Sequence, residues 1–218
     1  MRILTISFCC VICALLLASC DKATTPITNA QETPAQPTSQ PALAAELDTS
    51  SAPLAWAPSD DPTIARFLNY VAPKSASWIE HPPSGMGRIA NYTIPGRDGN
   101  EAAHIVAHYF GQGQGGTVEG NIARWQSQFQ VDDDGSLPEP IVNRFEVNSL
   151  AVTMIELSGQ WKERGTLTFK PDQIFLAAII ELPQGNLFIR LVGQSATVKA
   201  NEEDYLAMIR GIHVADQD

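Results

Sequence analysis

From Ile174 to Ile180 the chain reads Ile-Phe-Leu-Ala-Ala-Ile-Ile, with no polar side chain, and after Pro183-Gln184-Gly185-Asn186 it enters a further apolar stretch over residues 186–193. A run this short and this apolar suits a strand buried on both faces. The Pro-Gln-Gly-Asn sequence marks a hairpin, so its neighbour in sequence is its antiparallel neighbour in space. A central strand of that kind requires a layer of structure on each side of the sheet. Other segments supply partners. Arg88–Ile94 alternates and ends at Pro95-Gly96 and Asp98-Gly99. Ala102–Phe110 is expected to pair with it, with Ala103, Ile105, Ala107 and Tyr109 on one face and His104, Val106, His108 and Phe110 on the other. Strands are also expected over Arg144–Val147, Leu150–Gln160 and Gly165–Lys170.

The covering layers come from helical patterns. Val118, Ile122, Trp125 and Phe129 fall on one helical face, with Arg124 and Gln128 turned away from it. Thr117 is placed to cap that helix, and Glu119 sits in its first turn, where the dipole favours an acid. Val198, Tyr205, Ile209 and Ile212 form the stripe of a final helix. Asp61-Pro62, followed by Ile64, Phe67 and Leu68, predicts a short helix with Asp61 as its cap. The expected fold is α+β: a mainly antiparallel sheet packed by two or three helices.

The N-terminus predicts where the protein resides. Met1-Arg2 is followed by an uncharged apolar run from Ile3 to Leu17. At 1.5 Å per residue such a run spans about 22 Å, short of the roughly 30 Å hydrocarbon core, and suits a signal-peptide core better than a transmembrane helix. It ends in Leu17-Ala18-Ser19-Cys20, which resembles a bacterial lipobox. That resemblance implies removal of residues 1–19 and acylation of Cys20, leaving the protein lipid-anchored to the bacterial cell membrane and facing the periplasm or exterior. No cysteine follows Cys20. The exported domain therefore forms no disulfide, holds no thiolate metal site and uses no cysteine nucleophile.

Residues 20–57 are read as the lipidated cysteine and a disordered tether rich in Pro, Thr and Ala, because large apolar side chains are scarce there. About 40 flexible residues span roughly 35 Å. A single domain is expected over residues 58–214, with a short tail at 215–218. The formal charge of −10 repels phosphate backbones and argues against a nucleic-acid partner.

Two stretches carry a family resemblance. The first is PPSGMGRIANYTIPG, preceded by Trp78. The second is HYFGQGQGGTVEGNIARWQSQF, from His108 to Phe129. The second resembles a signature of small exported bacterial proteins without assigned activity, many of them lipoproteins. The element order over residues 70–214 is also similar to the PsbP-like fold. Its members are mostly non-catalytic: a photosystem accessory subunit, a factor binding a small GTPase, and bacterial lipoproteins. The resemblance implies an accessory or binding role.

Gly111, Gly113 and Gly116 match GxGxxG between a strand and a helix, the context of a dinucleotide fingerprint. The strand before it belongs to a hairpin, however, and Pro138 and Pro140 occupy the region where the ribose-binding acid would lie. A P-loop lacks its lysine before Thr117. The segment is read as a glycine-rich connection that lets the helix pack closely. Gly111, Gly113, Gly115, Gly116 and Thr117 are retained as the secondary candidate for ligand contact, an anion at the helix N-terminus.

His104 and His108 share a strand face about 13 Å apart, too far to bridge one metal ion, and are expected to face solvent. Asp132-Asp133-Asp134-Gly135 departs from EF-hand spacing and reads as an acidic turn. Arg124 and Trp125 mark a binding face only if Trp125 leaves the apolar stripe. No cofactor, metal site or catalytic constellation is expected. The function expected from sequence is a non-catalytic binding or accessory lipoprotein serving a partner at the cell envelope; the alternative is an exported enzyme with an unrecognised site.

Overall fold

The computed structural model describes residues 58–215. The signal peptide and tether expected over residues 1–57, Cys20 among them, and the last three residues of the tail lie outside the described residues.

The described chain is α+β. In order it forms β1 (Ile64–Phe67), β2 (Tyr70–Pro73), β3 (Ile79–Glu80), β4 (Arg88–Ile94), β5 (Ala103–Tyr109), α1 (Val118–Gln126), β6 (Ile141–Val147) and β7 (Leu150–Trp161). There follow β8 (Lys170–Leu182), β9 (Gly185–Gln194), α2 (Ser195–Lys199), α3 (Glu202–Arg210) and β10 (His213–Val214). Seven strands make one sheet in the order β3-β4-β5-β9-β8-β7-β6, and β1, β2 and β10 make a small second sheet. Every described pairing is antiparallel.

β8 is the central strand that its composition predicts. It pairs with β7 on one side and β9 on the other, and Gln173 to Ile180 are all buried. Leu182 pairs with Gly185, so Pro183-Gln184 forms a two-residue hairpin loop.

Alternation divides the sheet into two faces. Ile105, Ile180, Leu187, Ile189 and Leu191 belong to a core shared with Tyr205, Met208 and Ile209 of α3 and with Phe67 and Tyr70 of the small sheet. Each fully buried aliphatic side chain there stabilises the fold by about 1.5–3 kcal/mol. The hydroxyl of Tyr205 donates to the carbonyl of Ile189 at 2.8 Å, which satisfies its polar end inside this core. On the opposite face Ile155, Leu157, Phe175, Ala177, Ile179 and Phe188 pack under Trp125 of α1 and under Phe129.

Several local expectations need correction. Asp61–Leu68 is not a helix. The Asp61 carboxylate accepts from the backbone N–H of Thr63 at 2.8 Å and from its hydroxyl at 2.6 Å, closing a turn that leads into β1. An aspartate before Pro-Thr serves an Asx turn as readily as a helix cap, and the alternation of buried Ala65 and Phe67 with exposed Arg66 follows strand period. Residues 165–169 form no strand. The chain leaves β7 at a register shift between Gly159 and Trp161 and rejoins the sheet at Lys170. Leu167 on that excursion is 93% exposed.

The final helix is two, α2 and α3, although Val198, Tyr205, Ile209 and Ile212 are all buried as expected. α1 stops at Gln126. Phe129 lies beyond it and reaches the core through a bridge to Trp161. The short strands β3 and β10 carry two residues each, too few to show a period.

Candidate functional site

The face of the sheet that carries α1 is only partly covered. α1 closes one side, the 162–169 excursion stands at another, and between them lies a cleft of about 960 Å³. Its floor comes from alternate residues of three adjacent strands: Arg88, Asn91 and Thr93 of β4, His104, Val106 and His108 of β5, and Phe188, Arg190 and Val192 of β9. The same alternation that sends Ile105 and Ile189 into the core sends His104 and Arg190 into the cleft.

Aromatic rings support this floor. Trp125 lies against Phe175 with ring centroids 5.5 Å apart and meets Phe188 edge-on at 6.5 Å. Phe110 packs against Phe188 at 6.0 Å and stacks on His108 at 5.9 Å with ring planes 15° apart. Trp161 donates its indole N–H to Gln128 at 3.1 Å, joining the end of β7 to the segment after α1. The guanidinium of Arg190 lies 5.9 Å from the Phe175 ring and that of Arg124 6.0 Å from the Trp125 ring.

The charge in the cleft opposes that of the chain. Six of the 14 Lys and Arg residues line it, with Glu101 and Glu163 as the acidic members of the lining. Glu101 is engaged by Lys170 at 2.8 Å. Arg124 donates to the side-chain carbonyl of Asn121. Arg88 and Arg190 have no side-chain hydrogen bond and no ion pair among the described residues, and Nε of Arg88 is buried without a partner.

The titration of neighbouring groups responds to this. Burial, then Arg124 and Arg88, push Arg190 down to about 10, so it stays a cation at neutral pH. Burial, then Arg190, Arg88 and Arg124, push His108 down to about 4. His104 is also lowered, chiefly by burial. Both histidines are therefore neutral at pH 7. Both line the cleft: His104 is exposed, as the sequence leads one to expect, whereas His108 is half-buried against Phe110, a correction to the expectation that it faces solvent. The Thr93 hydroxyl lies 2.9 Å from Nε2 of His81 and 3.4 Å from Nδ1 of His104.

The glycine segment lies beside the cleft and not in its lining, which passes from Phe110 to Arg124. Gly111, Gly113, Gly115 and Gly116 all have positive φ, from 70° to 95°. At Gly115 a Cβ would fall 2.7 Å from the Phe188 ring. Thr117 caps α1 by accepting from the backbone N–H of Gly120 at 3.1 Å. Buried Asn121 donates to the carbonyls of Gly115 at 2.9 Å and Thr117 at 2.7 Å, tying the segment to the helix. Asp134 is part of a turn closed on Ser136. Among the described residues no group of three or more His, Cys, Asp and Glu is placed to hold a metal ion.

Sequence reasoning missed Arg88, Arg190, Trp161 and Glu163. Arg190 had a usable signal: it is the one charged residue between Leu187 and Val192. The others come together through strand pairing and a non-local excursion, which leave no local pattern.

No protein-family model matches the chain, and no curated protein matches it. Among solved structures, the fold is similar to that of a Pseudomonas aeruginosa protein of unknown function, with 14% identity and a TM-score of 0.39 over 72% of this chain and 97% of that one.

Proposed function

We propose that this protein is a lipid-anchored, non-catalytic binding or accessory module of the cell envelope, and that the cleft on the α1 face of the sheet is its binding surface. The observation that carries the reading is the cleft itself: about 960 Å³, floored by three strands and an aromatic layer, and lined by Arg88 and Arg190, which have no side-chain partner among the described residues. Pockets of this size are used to bury small ligands. Support for the anchor comes from the Leu17-Ala18-Ser19-Cys20 motif and from the resemblance to exported lipoproteins.

Hydrogen exchange tests the binding surface. The full chain in its native membrane is compared with the chain purified in detergent. Protection confined to β5, β9 and the 162–169 excursion is expected in the membrane sample. Protection elsewhere, or none, overturns the assignment of the cleft. Palmitate labelling tests the anchor, and a Cys20→Ser chain that still partitions into membranes after cleavage overturns it.

A second reading, an exported enzyme, has a specific observation in its favour. Perturbed titratable groups in a cleft are a mark of active sites, and His81, Thr93 and His104 form a hydrogen-bonded chain. The shifts here arise from burial and repulsion by arginines, however, and among the described residues no carboxylate hydrogen-bonds either His81 or His104 to orient it as a base. Turnover of p-nitrophenyl acetate that disappears in both Thr93→Ala and His104→Ala would favour the enzyme.

A further inference from the structure

We propose that the cleft binds an oxyanion, a carboxylate or a phosphate, carried on a flat apolar body, with Arg88, Arg124 and Arg190 holding the charged end. This deepens the reading of the cleft as the binding surface and rests on it.

The sign of the ligand follows from charge placement. A chain of formal charge −10 places six of its 14 cationic side chains around one cleft. Among the described residues, Arg88 and Arg190 have no carboxylate within ion-pair distance, although the chain carries 24 acids. Cations held near one another without counter-charges destabilise the domain through mutual repulsion and lost hydration. Here the cost is visible in Arg190, whose proton affinity is lowered first by burial and then by Arg124 and Arg88, with Glu163 opposing them in part. An oxyanion between them removes that repulsion. Guanidinium groups suit the task because a planar fork of N–H donors matches the paired oxygens of carboxylate and phosphate.

The apolar body follows from the rest of the lining. Phe110 presents ring surface to the cleft, with the nearly buried Phe188 and Trp161 behind it, and His108, stacked on Phe110 and uncharged at pH 7, extends it. Phe110 is 36% exposed although it belongs to the aromatic cluster, so its ring is open to a flat partner. The volume sets the scale at a small molecule or one or two side chains, not a folded partner.

Isothermal titration of the full chain provides the test, with 1-naphthyl phosphate, 1-naphthoate, 1-naphthol and inorganic phosphate as probes. The better aryl oxyanion is expected to bind saturably at one site, at least about tenfold more tightly than 1-naphthol and than inorganic phosphate alone. The ratio of naphthyl phosphate to naphthoate then identifies the oxyanion. Arg88→Gln and Arg190→Gln are each expected to weaken that binding by about tenfold or more, and Arg124→Gln by somewhat less because its side chain is exposed and already bonded to Asn121. Arg190→Met serves as a second variant should Arg190→Gln fold poorly.

Naphthol binding as tightly as both aryl oxyanions overturns the oxyanion assignment while leaving the cleft a binding surface. So do variants with native circular dichroism that bind the oxyanion unchanged. Failure of the binding-surface reading shows separately, as hydrogen-exchange protection away from the cleft.

Discussion

On β9, Leu187, Ile189 and Leu191 enter one core, while Phe188, Arg190 and Val192 between them face the cleft side. The first face is largely covered by α2, α3 and the small sheet, and the hydroxyl of Tyr205 inside it has its hydrogen bond. The second face is closed only where Trp125 and Phe129 lie on Phe175, and beyond that it opens onto arginines and histidines. One set of strands thus serves two purposes at a period of two. The dry face supplies stability, and the stability it supplies allows the other face to hold unpaired cations.

The comparison breaks most visibly if the aromatic layer proves dispensable. Trp125 is buried to 1% and touches both Phe175 and Phe188. Trp125→Ala is expected to cost about 3–5 kcal/mol in urea unfolding, close to the loss expected for deleting a large side chain from the dry core. A loss under about 1 kcal/mol would mean that α1 rests loosely on the sheet and that the cleft has no rigid floor.

The glycine segment sharpens the same point at smaller magnitude. Gly115 and Gly113 have φ of 86° and 70°. A Cβ at Gly115 meets the Phe188 ring, and one at Gly113 meets nothing within 4 Å. Gly115→Ala is expected to cost about 2–3 kcal/mol, from backbone strain and overpacking together. Gly113→Ala should cost about 1 kcal/mol, from backbone strain alone. Equal losses would show that contact with the aromatic layer is not what fixes the segment.

Legibility followed the same division. The dry face was readable because burial on both sides of β8 leaves an uninterrupted apolar run, and because Pro183-Gln184-Gly185-Asn186 declares its hairpin. α1 was readable from its cap at Thr117 and its stripe through Trp125. Asp61–Leu68 misled because Ile64, Phe67 and Leu68 fit helical spacing, while the buried Ala65 between them shows the strand period only once the chain is folded. Residues 165–169 misled because threonines suit a strand, yet no strand edge is offered to them. The cleft was not readable as a unit. Arg88 and Arg190 are about a hundred positions apart, and only the β4-β5-β9 order brings them onto one floor. The sequence drew attention instead to the glycines beside the cleft, whose positive φ serves the helix connection.

pH offers a subtler separation of the faces. Unfolded, His108 titrates near 6.5; folded, near 4. Between those values the unfolded chain binds a proton that the native cleft refuses, because burial, and then Arg190, Arg88 and Arg124, disfavour a charged ring. Stability should be full above about pH 6.5 and decline as pH falls toward 4. His104, faced by Glu163, Lys170, His81 and Arg88, shifts in the same direction. For His108 the decline is expected to be about 1–2 kcal/mol once solvent screening is allowed for. His108→Gln should flatten the urea-midpoint profile in that window. A profile unchanged by the substitution would show that the arginines do not act on the ring.

The smallest stability effect is expected at Arg190, and it is the most informative because Ile189 stands beside it. Ile189→Ala removes a fully buried side chain from the dry core and should cost about 2–5 kcal/mol. Arg190→Met keeps the length that covers Phe175 and removes the charge. It leaves no acceptor orphaned, since no hydrogen bond or ion pair of Arg190 exists among the described residues, and it relieves repulsion from Arg88 and Arg124. Its effect is expected to lie between no change and a gain of about 1 kcal/mol, the sign found when buried charge is replaced by an apolar side chain of similar volume. The same variant should lose aryl-oxyanion binding. A residue whose removal leaves stability intact and abolishes binding is retained for the ligand. A loss above about 2 kcal/mol on Arg190→Met would place Arg190 among the structural residues, and the difference between the two faces would then reduce to one of packing.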